Sequence, residues 1–350
     1  MIASLVTLVL SRDTFSPEGE RKEEYYLLLV LSVLGAVVLI QSSHMVSLLL
    51  GMELMGVALY AMIAFPERGQ LPLEGAIKYL VLSACASAML LYGFALIYAA
   101  TGELSYAGIG AKGALAYIEN PMLIMAGSAM VLAGIGFKLS VAPFHMWTPD
   151  VYQGAPTPVT GFLATVSKGA VFVALSRFYI DGGLDQYSGL NTALVVLAIA
   201  SMLVGNWLAL RQENIKRLLA YSSIAHFGYL LVVLIALTYV DAGRVSQSIT
   251  FYLTAYMVTT LAAFTVVSTV AGEDTAKQDI SAFEGLFWHR PLEASALTVA
   301  MLSLAGIPLT AGFMAKFFVI TLGIQSGLWG LLAALVVGSA VAIYYYLRVI

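Results

Sequence analysis

Charged residues are scarce in this sequence. Only 11% of its 350 residues are charged, whereas 60% are hydrophobic; a soluble domain carries about 25% charged residues. Such a chain could not cover a water-facing surface, which excludes a soluble globular protein and predicts a polytopic membrane protein. The net charge of -3 is spread over the whole chain, so we expect the lipid bilayer, and no nucleic acid, as a partner.

Cysteine and nucleotide-binding motifs are also nearly absent. The single cysteine, Cys85, lies in an apolar run. One cysteine excludes an internal disulfide and any four-cysteine zinc or iron–sulfur site. There is no GxxxxGK[ST] motif and no dinucleotide fingerprint after a strand. We therefore expect no metal and no cofactor in this chain, and an energy source in a partner or an ion gradient.

Long apolar runs fill the sequence. A membrane-spanning helix needs about 20 apolar residues, and alternation typical of barrel strands is missing. The opening ten residues are too short to span and resemble the tail of a helix. The predicted fold is an all-α polytopic membrane protein with ten to eleven transmembrane helices. The ten complete spans are about 25–40, 44–64, 73–100, 122–147, 157–180, 190–210, 215–239, 248–271, 292–322 and 326–350.

Basic residues predict the orientation. If the spans alternate, the loops on one side receive most of the lysines and arginines, and the positive-inside rule makes that side cytoplasmic. The predicted cytoplasmic loops are 11–24, 65–72, 148–156, 211–217 and 272–291. Their basic residues, with those at the adjoining helix ends, are Arg12, Arg21, Lys22, Arg68, Arg211, Lys216, Arg217, Lys277, Arg290 and Arg348. The other side receives Lys112, Arg244 and Arg177.

Two spans are interrupted near a lysine. The span 122–147 contains Pro143 beside Lys138, and the span 292–322 contains Gly306 and Pro308 before Lys316. These spans are five apart, so two five-helix units would have opposite topology, as in inverted-repeat transporters. The whole chain is predicted to be one membrane domain, with a stub and loop at 1–24 and two inverted repeats at 25–180 and 190–350. Chance placement of prolines, which are common in membrane helices, is the alternative.

Four charged residues lie well inside predicted spans. An ionised group near the bilayer centre costs about 2.5–3.5 kcal/mol on insertion scales, so it indicates a function unless another cause is found. For the lysines the alternative is snorkelling, in which the stem carries the amine to the interface. For the glutamate it is an ion pair that fastens two helices. The four residues are Glu53, Lys138, Lys168 and Lys316.

Three further residues are weaker candidates. Lys78 stands near the start of its span, four residues after Glu74, so an i,i+4 ion pair is nearly as good an explanation. His145 follows Pro143 and could connect the regions of Lys138 and Lys168. His226, with Ser222 and Ser223 nearby, is either a helix contact or a proton carrier.

Together these groups suit proton handling. Burial disfavours the charged form of a lysine, and a nearby carboxylate restores it. Lysines and a histidine joined by ordered water could therefore hold and release a proton in turn. Moving one charge across the membrane costs about 2.3 kcal/mol per 100 mV, so an external driving force is required.

Several runs carry a resemblance to a known family. They are GFKLSVAPFHMWTPDVYQGAPTPV, NIKRLLAYSSIAHFGYLLV, GLFWHRP, LSLAGIPLTAGFMAKFFV and YYYLRV. In these runs the chain resembles the antiporter-like subunits of proton-pumping NADH:quinone oxidoreductase, respiratory complex I, and the resemblance covers essentially the whole chain. The same wider family includes subunits of multi-component sodium/proton antiporters.

The resemblance implies a role for each candidate. Glu53 and Lys138 correspond to a pair that modulates proton affinity. Lys168 corresponds to a connecting residue, and Lys316 to a lysine of the exit half. The implied accessory positions of a hydrated path are Lys78, His145 and His226.

The resemblance also implies a location, partners and cofactors. It places the chain in the bacterial inner membrane beside other membrane-arm subunits of the complex. It implies that NAD, flavin, iron–sulfur clusters and quinone are bound by other subunits, which drive proton translocation here. Family members have about fourteen helices, so the chain is expected to lack some at both ends. The alternatives are a sodium/proton antiporter subunit and a non-pumping scaffold.

Overall fold

The chain folds as a bundle of helices. The computed structural model describes residues 2–14, 22–66, 70–272 and 278–350, and over these ranges it contains no β-strand. The helices are α1 (Ile2–Thr14), α2 (Lys22–Gln41), α3 (Met45–Ile63), α4 (Gln70–Thr101), α5 (Tyr106–Glu119), α6 (Pro121–Leu139), α7 (Trp147–Gly154), α8 (Thr157–Phe162), α9 (Lys168–Asp181), α10 (Ser188–Ala209), α11 (Ile215–Ile235), α12 (Ala242–Ala271), α13 (Leu286–His289), α14 (Pro291–Ala305), α15 (Ala311–Gln325) and α16 (Trp329–Val349).

Nine helical segments in the described ranges are long and apolar enough to cross a membrane. One of them, Thr157–Asp181, is α8 and α9 joined by a π-helical turn at Leu163–Ser167. Three shorter apolar helices, α1, α14 and α15, complete the set. The all-α polytopic fold predicted from the sequence is confirmed, and every predicted span coincides with one of these segments or, at 292–322, with α14 and α15 together.

Two connections differ from the prediction. Residues 148–156, predicted to be a cytoplasmic loop, are mostly the short buried helix α7. Its first residue, Trp147, donates from Nε1 to the carbonyl of Phe137 at 3.0 Å, which ties α7 back onto α6. Helix α5 was not predicted at all. It buries only one side of a glycine- and alanine-rich segment, so its apolar signal is weak.

Both predicted interruptions are real breaks. Helix α6 ends at Leu139, Ser140 adopts the left-handed conformation (φ 62°), and the chain resumes in α7. Helix α14 ends at Ala305, Gly306 is left-handed (φ 82°), and the chain resumes in α15. A break leaves the last carbonyls of a helix available to other donors. The inverted relation between 25–180 and 190–350 stays a prediction.

Basic residues gather at the ends of the bundle. At one end Arg217 contacts Asp150, and Arg348 donates to the carbonyls of Leu210 and Gln212. At the other end Arg177 donates to the carbonyl of Ile40. This separation matches the sidedness expected from the positive-inside rule. Arg21, Arg68 and Lys277, which also supported that expectation, lie outside the described residues.

Small residues allow helices to approach closely. At Gly93 of α4 an added Cβ would lie 2.7 Å from the carbonyl oxygen of Gly127 on α6. At Gly35 of α2 it would lie 2.5 Å from the backbone nitrogen of Met55 on α3. Backbone contact through small residues is a main source of helix association in membranes. These contacts fix α4 against α6 and α2 against α3.

Gly93→Ala should therefore destabilise the protein. Alanine gains about 0.5–1 kcal/mol over glycine in a helix, but forced overpacking costs about 1–3 kcal/mol, so the net change is a loss. The thermal midpoint of the purified complex measures it. Gly330→Ala is the matched control, because among the described residues no heavy atom outside its chain neighbours and its own helix backbone lies within 4 Å of its added Cβ. Equal midpoints for the two variants would contradict the packing argument.

Candidate functional site

The centre of the bundle is formed by two nearly enclosed spans. In their most apolar windows, 89% of Thr157–Asp181 and 94% of Ile215–Thr238 are buried inside the protein. They carry Lys168 on α9 and His226 on α11. The flanking broken helices supply Lys138 on α6 and Lys316 on α15. All three lysines are therefore core residues, which excludes snorkelling to the surface.

Lys138 lies one residue before the end of α6. Its side chain is 3% exposed, and its amine donates to Ser83 Oγ on α4 at 2.5 Å. The amine also faces the rings of Tyr60 and Tyr79, at 5.9 and 5.6 Å from their centroids. Gly56 makes room for it, since a Cβ there would lie 3.2 Å from Lys138 Nζ. Hydroxyl and aromatic groups thus solvate this cation.

Glu53 is half-buried on α3, and its carboxylate is not in direct contact with Lys138. Its carboxylate accepts a hydrogen bond from Ser87 Oγ on α4. Among the described residues, no ion pair within 4.0 Å joins it to Lys138. The reason is that serines of α4 hydrogen-bond to both charged groups: Ser87 binds Glu53, and Ser83 binds Lys138. Coulomb attraction between the two still acts over the longer distance.

Lys168 follows directly after the π-helical turn at Leu163–Ser167. Such turns are rare and are often found at functional sites. The side chain is fully buried, and its amine donates to Ser223 Oγ on α11 at 2.9 Å. It faces the ring of Tyr152 at 5.1 Å and that of Phe227 at 5.6 Å. In the described part of the chain no carboxylate pairs with this amine.

Lys316 lies on α15, just beyond the second break. It is 6% exposed and donates to the carbonyl of Ala305, the last residue of α14, at 2.8 Å. This carbonyl is free to accept because the helix ends there. Gly306 lines the amine, since a Cβ at that position would lie 3.3 Å from Lys316 Nζ. The broken helix therefore supplies the cation's acceptor.

His226 lies between tyrosine hydroxyl groups of two other helices. Its Nδ1 lies 2.8 Å from Tyr252 Oη, and its Nε2 lies 3.4 Å from Tyr346 Oη. Tyr346 in turn is hydrogen-bonded to Ser222, the neighbour of the serine that binds Lys168. The imidazole thus belongs to a cluster of polar side chains from α11, α12 and α16.

His145 lies in the break between α6 and α7. It is 7% exposed, and its Nδ1 has no hydrogen-bond partner within the described ranges. The nearest ring is that of Tyr221 on α11, 6.5 Å away between centroids. That His145 connects the regions of Lys138 and Lys168 stays a prediction.

Lys78 lies outside this buried series. Its amine forms ion pairs with Glu74 at 2.6 Å and with Asp150 at 2.7 Å, and its side chain is 40% exposed. Asp150 also binds Arg217 at 2.7 Å. The pair with Glu74 is the i,i+4 ion pair that was the alternative explanation for Lys78. Asp150 extends this pair into a link between α4, α7 and α11.

Sequence reasoning missed most of the polar groups that surround the candidate residues. They were hard to find because serine and tyrosine are common in membrane helices. One signal was present in the sequence: Ser83 and Ser87 are four residues apart on a single span, so they share a polar face of that helix. The missed residues are Tyr60, Ser83, Ser87, Tyr252, Tyr256 and Tyr346.

The chemistry of the buried amines is that of proton binding. The described residues contain no group of three or more His, Cys, Asp or Glu side chains that could bind a metal ion. An amine with neutral partners only is solvated in both its charged and its neutral form, because a hydroxyl can accept or donate. A buried ion pair would instead fix the charge.

Comparison with known proteins identifies the wider group. The family described as NADH:quinone oxidoreductase/Mrp antiporter, transmembrane, matches residues 42–342. NADH-quinone oxidoreductase subunit N of Methylococcus capsulatus is 47% identical over 350 residues, which are 100% of this chain and 71% of that protein.

Solved structures share the fold. A chain of respiratory complex I from Thermus thermophilus, solved with bound aureothin, is 39% identical with a TM-score of 0.85, over 99% of this chain and 73% of that one. A chain of the archaeal membrane-bound sulfane sulfur reductase is 28% identical with a TM-score of 0.87, over 99% and 70%. A chain of the Mrp complex from a Dietzia species, at 24% identity and a TM-score of 0.81 over 92% and 59%, shows the fold alone.

Asp150→Asn should loosen the link between α4, α7 and α11. It removes the charge that pairs with Lys78 and Arg217, and pairs this exposed contribute up to about 1 kcal/mol each. We expect a lower thermal midpoint of the purified complex, with a smaller difference at high salt. Glu74→Gln, which removes only a pair within α4, is the control. An equal loss in both variants would contradict the bridging role of Asp150.

Proposed function

Because the chain belongs to the NADH:quinone oxidoreductase/Mrp antiporter transmembrane family, we propose that its buried amines carry protons across the membrane. The chain is a multi-pass membrane protein and an antiporter-like subunit of an NADH-quinone oxidoreductase membrane arm. Its partners are other subunits of that complex. The proposal concerns what this subunit does there.

One observation carries the proposal. Lys138, Lys168 and Lys316 are all buried, and hydroxyl, carbonyl and aromatic groups hold their amines. A purely structural role would be served better by apolar residues, since burying a charge costs several kcal/mol. Reversible proton binding by these amines would explain why charged residues are kept in a low-dielectric interior despite that cost.

The polar contacts around Lys168 and His226 suggest an order in which a proton could pass. Lys168 binds Ser223, whose neighbour Ser222 is hydrogen-bonded to Tyr346, and Tyr346 approaches His226. A proton released by Lys168 has hydroxyl and imidazole groups on the side toward Lys316. In the same proposal, His145 serves the other side, toward Lys138. In this scheme the outer ends of the path are Lys138, with Glu53 near it, and Lys316.

The driving force comes from outside this chain. We propose that the chain itself holds no redox cofactor, and that redox chemistry involving NAD, flavin, iron–sulfur clusters and quinone takes place in other subunits. Electrostatic or conformational coupling would then reach this subunit through its neighbours in the membrane arm. The two helix breaks are suited to transmit it, because each places an amine beside an interrupted helix.

The sodium/proton antiporter alternative is less well supported. Over the aligned residues, the relatives from NADH-quinone oxidoreductases are 47% and 39% identical to this chain, against 24% for the Mrp chain. No group of three or more acidic, histidine or cysteine ligands is found in the described ranges. The proposal therefore assigns protons alone to the buried amines.

Lys138→Ala should abolish most proton pumping attributable to this subunit. The variant removes a buried proton-binding group, and we expect coupled pumping in proteoliposomes to fall by about tenfold or more. Pumping and quinone reduction are measured on the same preparation. Lys112→Ala is the control, because that side chain is 57% exposed and paired with Glu103. An unchanged proton-to-electron ratio in the Lys138 variant would refute the proposal.

Replacing sodium should leave pumping unchanged. The amines recognise a proton and offer no carboxylate shell for Na⁺, so exchange of sodium chloride for choline chloride at constant ionic strength should not alter the pumping rate. The measurement is dye quenching in proteoliposomes. A rate that rises with sodium concentration and saturates would favour the antiporter alternative.

A further inference from the structure

The hydroxyl groups of α4 make unusual contacts near Lys138. Serine and threonine in this chain usually donate to the carbonyl four residues earlier in the same helix, as Ser176 does to Phe172 and Thr101 does to Ile97. This is the ordinary behaviour of such residues in membrane helices. Ser83 and Ser87 instead make their contacts with side chains of other helices.

The two serines lie between two charged groups. Ser87 donates to the carboxylate of Glu53 on α3, and Ser83 accepts from the amine of Lys138 on α6 at 2.5 Å. They are four residues apart, so their hydroxyls share one face of α4 about 6 Å apart along the axis. Glu53 and Ser87 are half-buried, whereas Ser83 and Lys138 are buried. The polar link thus runs from the bundle surface inward.

Tyr60 completes the environment of Ser83. Its hydroxyl donates to Ser83 Oγ at 2.6 Å, so this oxygen accepts from both the phenol and the amine. A serine oxygen has two acceptor positions and one hydrogen. When Lys138 has released its proton, its amine can accept the serine hydrogen. Ser83 can therefore remain hydrogen-bonded to Lys138 in both states, by rotation of its hydroxyl and without net proton gain.

We propose that Ser83 and Ser87 are positioning residues through which Glu53 controls the hold of Lys138 on its proton. Ser87 holds the carboxylate of Glu53 away from the amine of Lys138. Ser83 holds that amine on the side that faces the carboxylate. The two charges then influence each other across α4 without collapsing into a closed ion pair. This inference rests on the proposed function, since it assumes that Lys138 carries a proton.

Single variants test each serine. Ser83→Ala should lower proton pumping in proteoliposomes by about tenfold, the change that loss of a charge-assisted hydrogen bond produces. Ser83→Thr, which keeps a hydroxyl, should restore pumping, whereas Ser83→Cys should not, because a thiol is a weak donor and acceptor. Ser128→Ala on α6 is the control: that hydroxyl is buried and has no hydrogen-bond partner in the described part of the chain.

A double-mutant cycle tests the connection itself. If Glu53 acts through Ser87, then Glu53→Gln and Ser87→Ala should each lower pumping, and the double variant should pump no less than Glu53→Gln alone. Fully additive losses would overturn the proposed link. Assembly of the complex and quinone reduction are measured beside pumping in every variant, because a merely structural role would lower all three together.

The outcomes separate this inference from the proposed function. Loss of pumping in Lys138→Ala together with wild-type pumping in Ser83→Ala and Ser87→Ala would overturn the serine link alone. Normal pumping in Lys138→Ala would overturn both. Failure of Ser83→Thr to pump, with normal assembly and Ser83→Ala equally impaired, would also count against the hydroxyl as the operative group.

Discussion

Desolvation of ammonium groups is the constraint on which the structure depends. Three lysines lie in an apolar bundle where each charge costs several kcal/mol unless other groups replace water. The chain meets this cost with serine hydroxyls, a helix-end carbonyl and the faces of tyrosine, tryptophan and phenylalanine rings. These neutral partners stabilise a cation without fixing it, which leaves protonation reversible.

The helix breaks follow from the same constraint. In a membrane every backbone group must be satisfied within the protein, so a break is tolerated only where other groups take over. At the first break Trp147 binds a freed carbonyl of α6, and at the second Lys316 binds the last carbonyl of α14. Each break therefore depends on a nearby side chain that binds an exposed carbonyl, which is Trp147 at the first break and Lys316 at the second. At the second break the buried amine itself satisfies the helix-end carbonyl.

Much of the fold could be predicted because the bilayer imposes lengths. Runs of about 20 apolar residues gave the spans, and Pro143 with Pro308 gave the breaks. The prediction failed at α5 and α7, whose short or one-sided apolar patterns resemble connections. In the site, the buried lysines were visible because a charge stands out in an apolar run. The serines and tyrosines around them were not, because such residues occur throughout membrane helices.

By itself, the sequence determined that the chain crosses a membrane many times, where its helices break and which charges lie at membrane depth. Composition and spacing carry this information, because the hydrophobic effect acts on each segment separately. Tertiary structure alone decided that Glu53 meets Ser87 rather than Lys138, and that Lys78 belongs to an exposed cluster. Hydrogen bonds and ion pairs depend on which helix faces meet within about 3 Å, and helix packing sets that geometry.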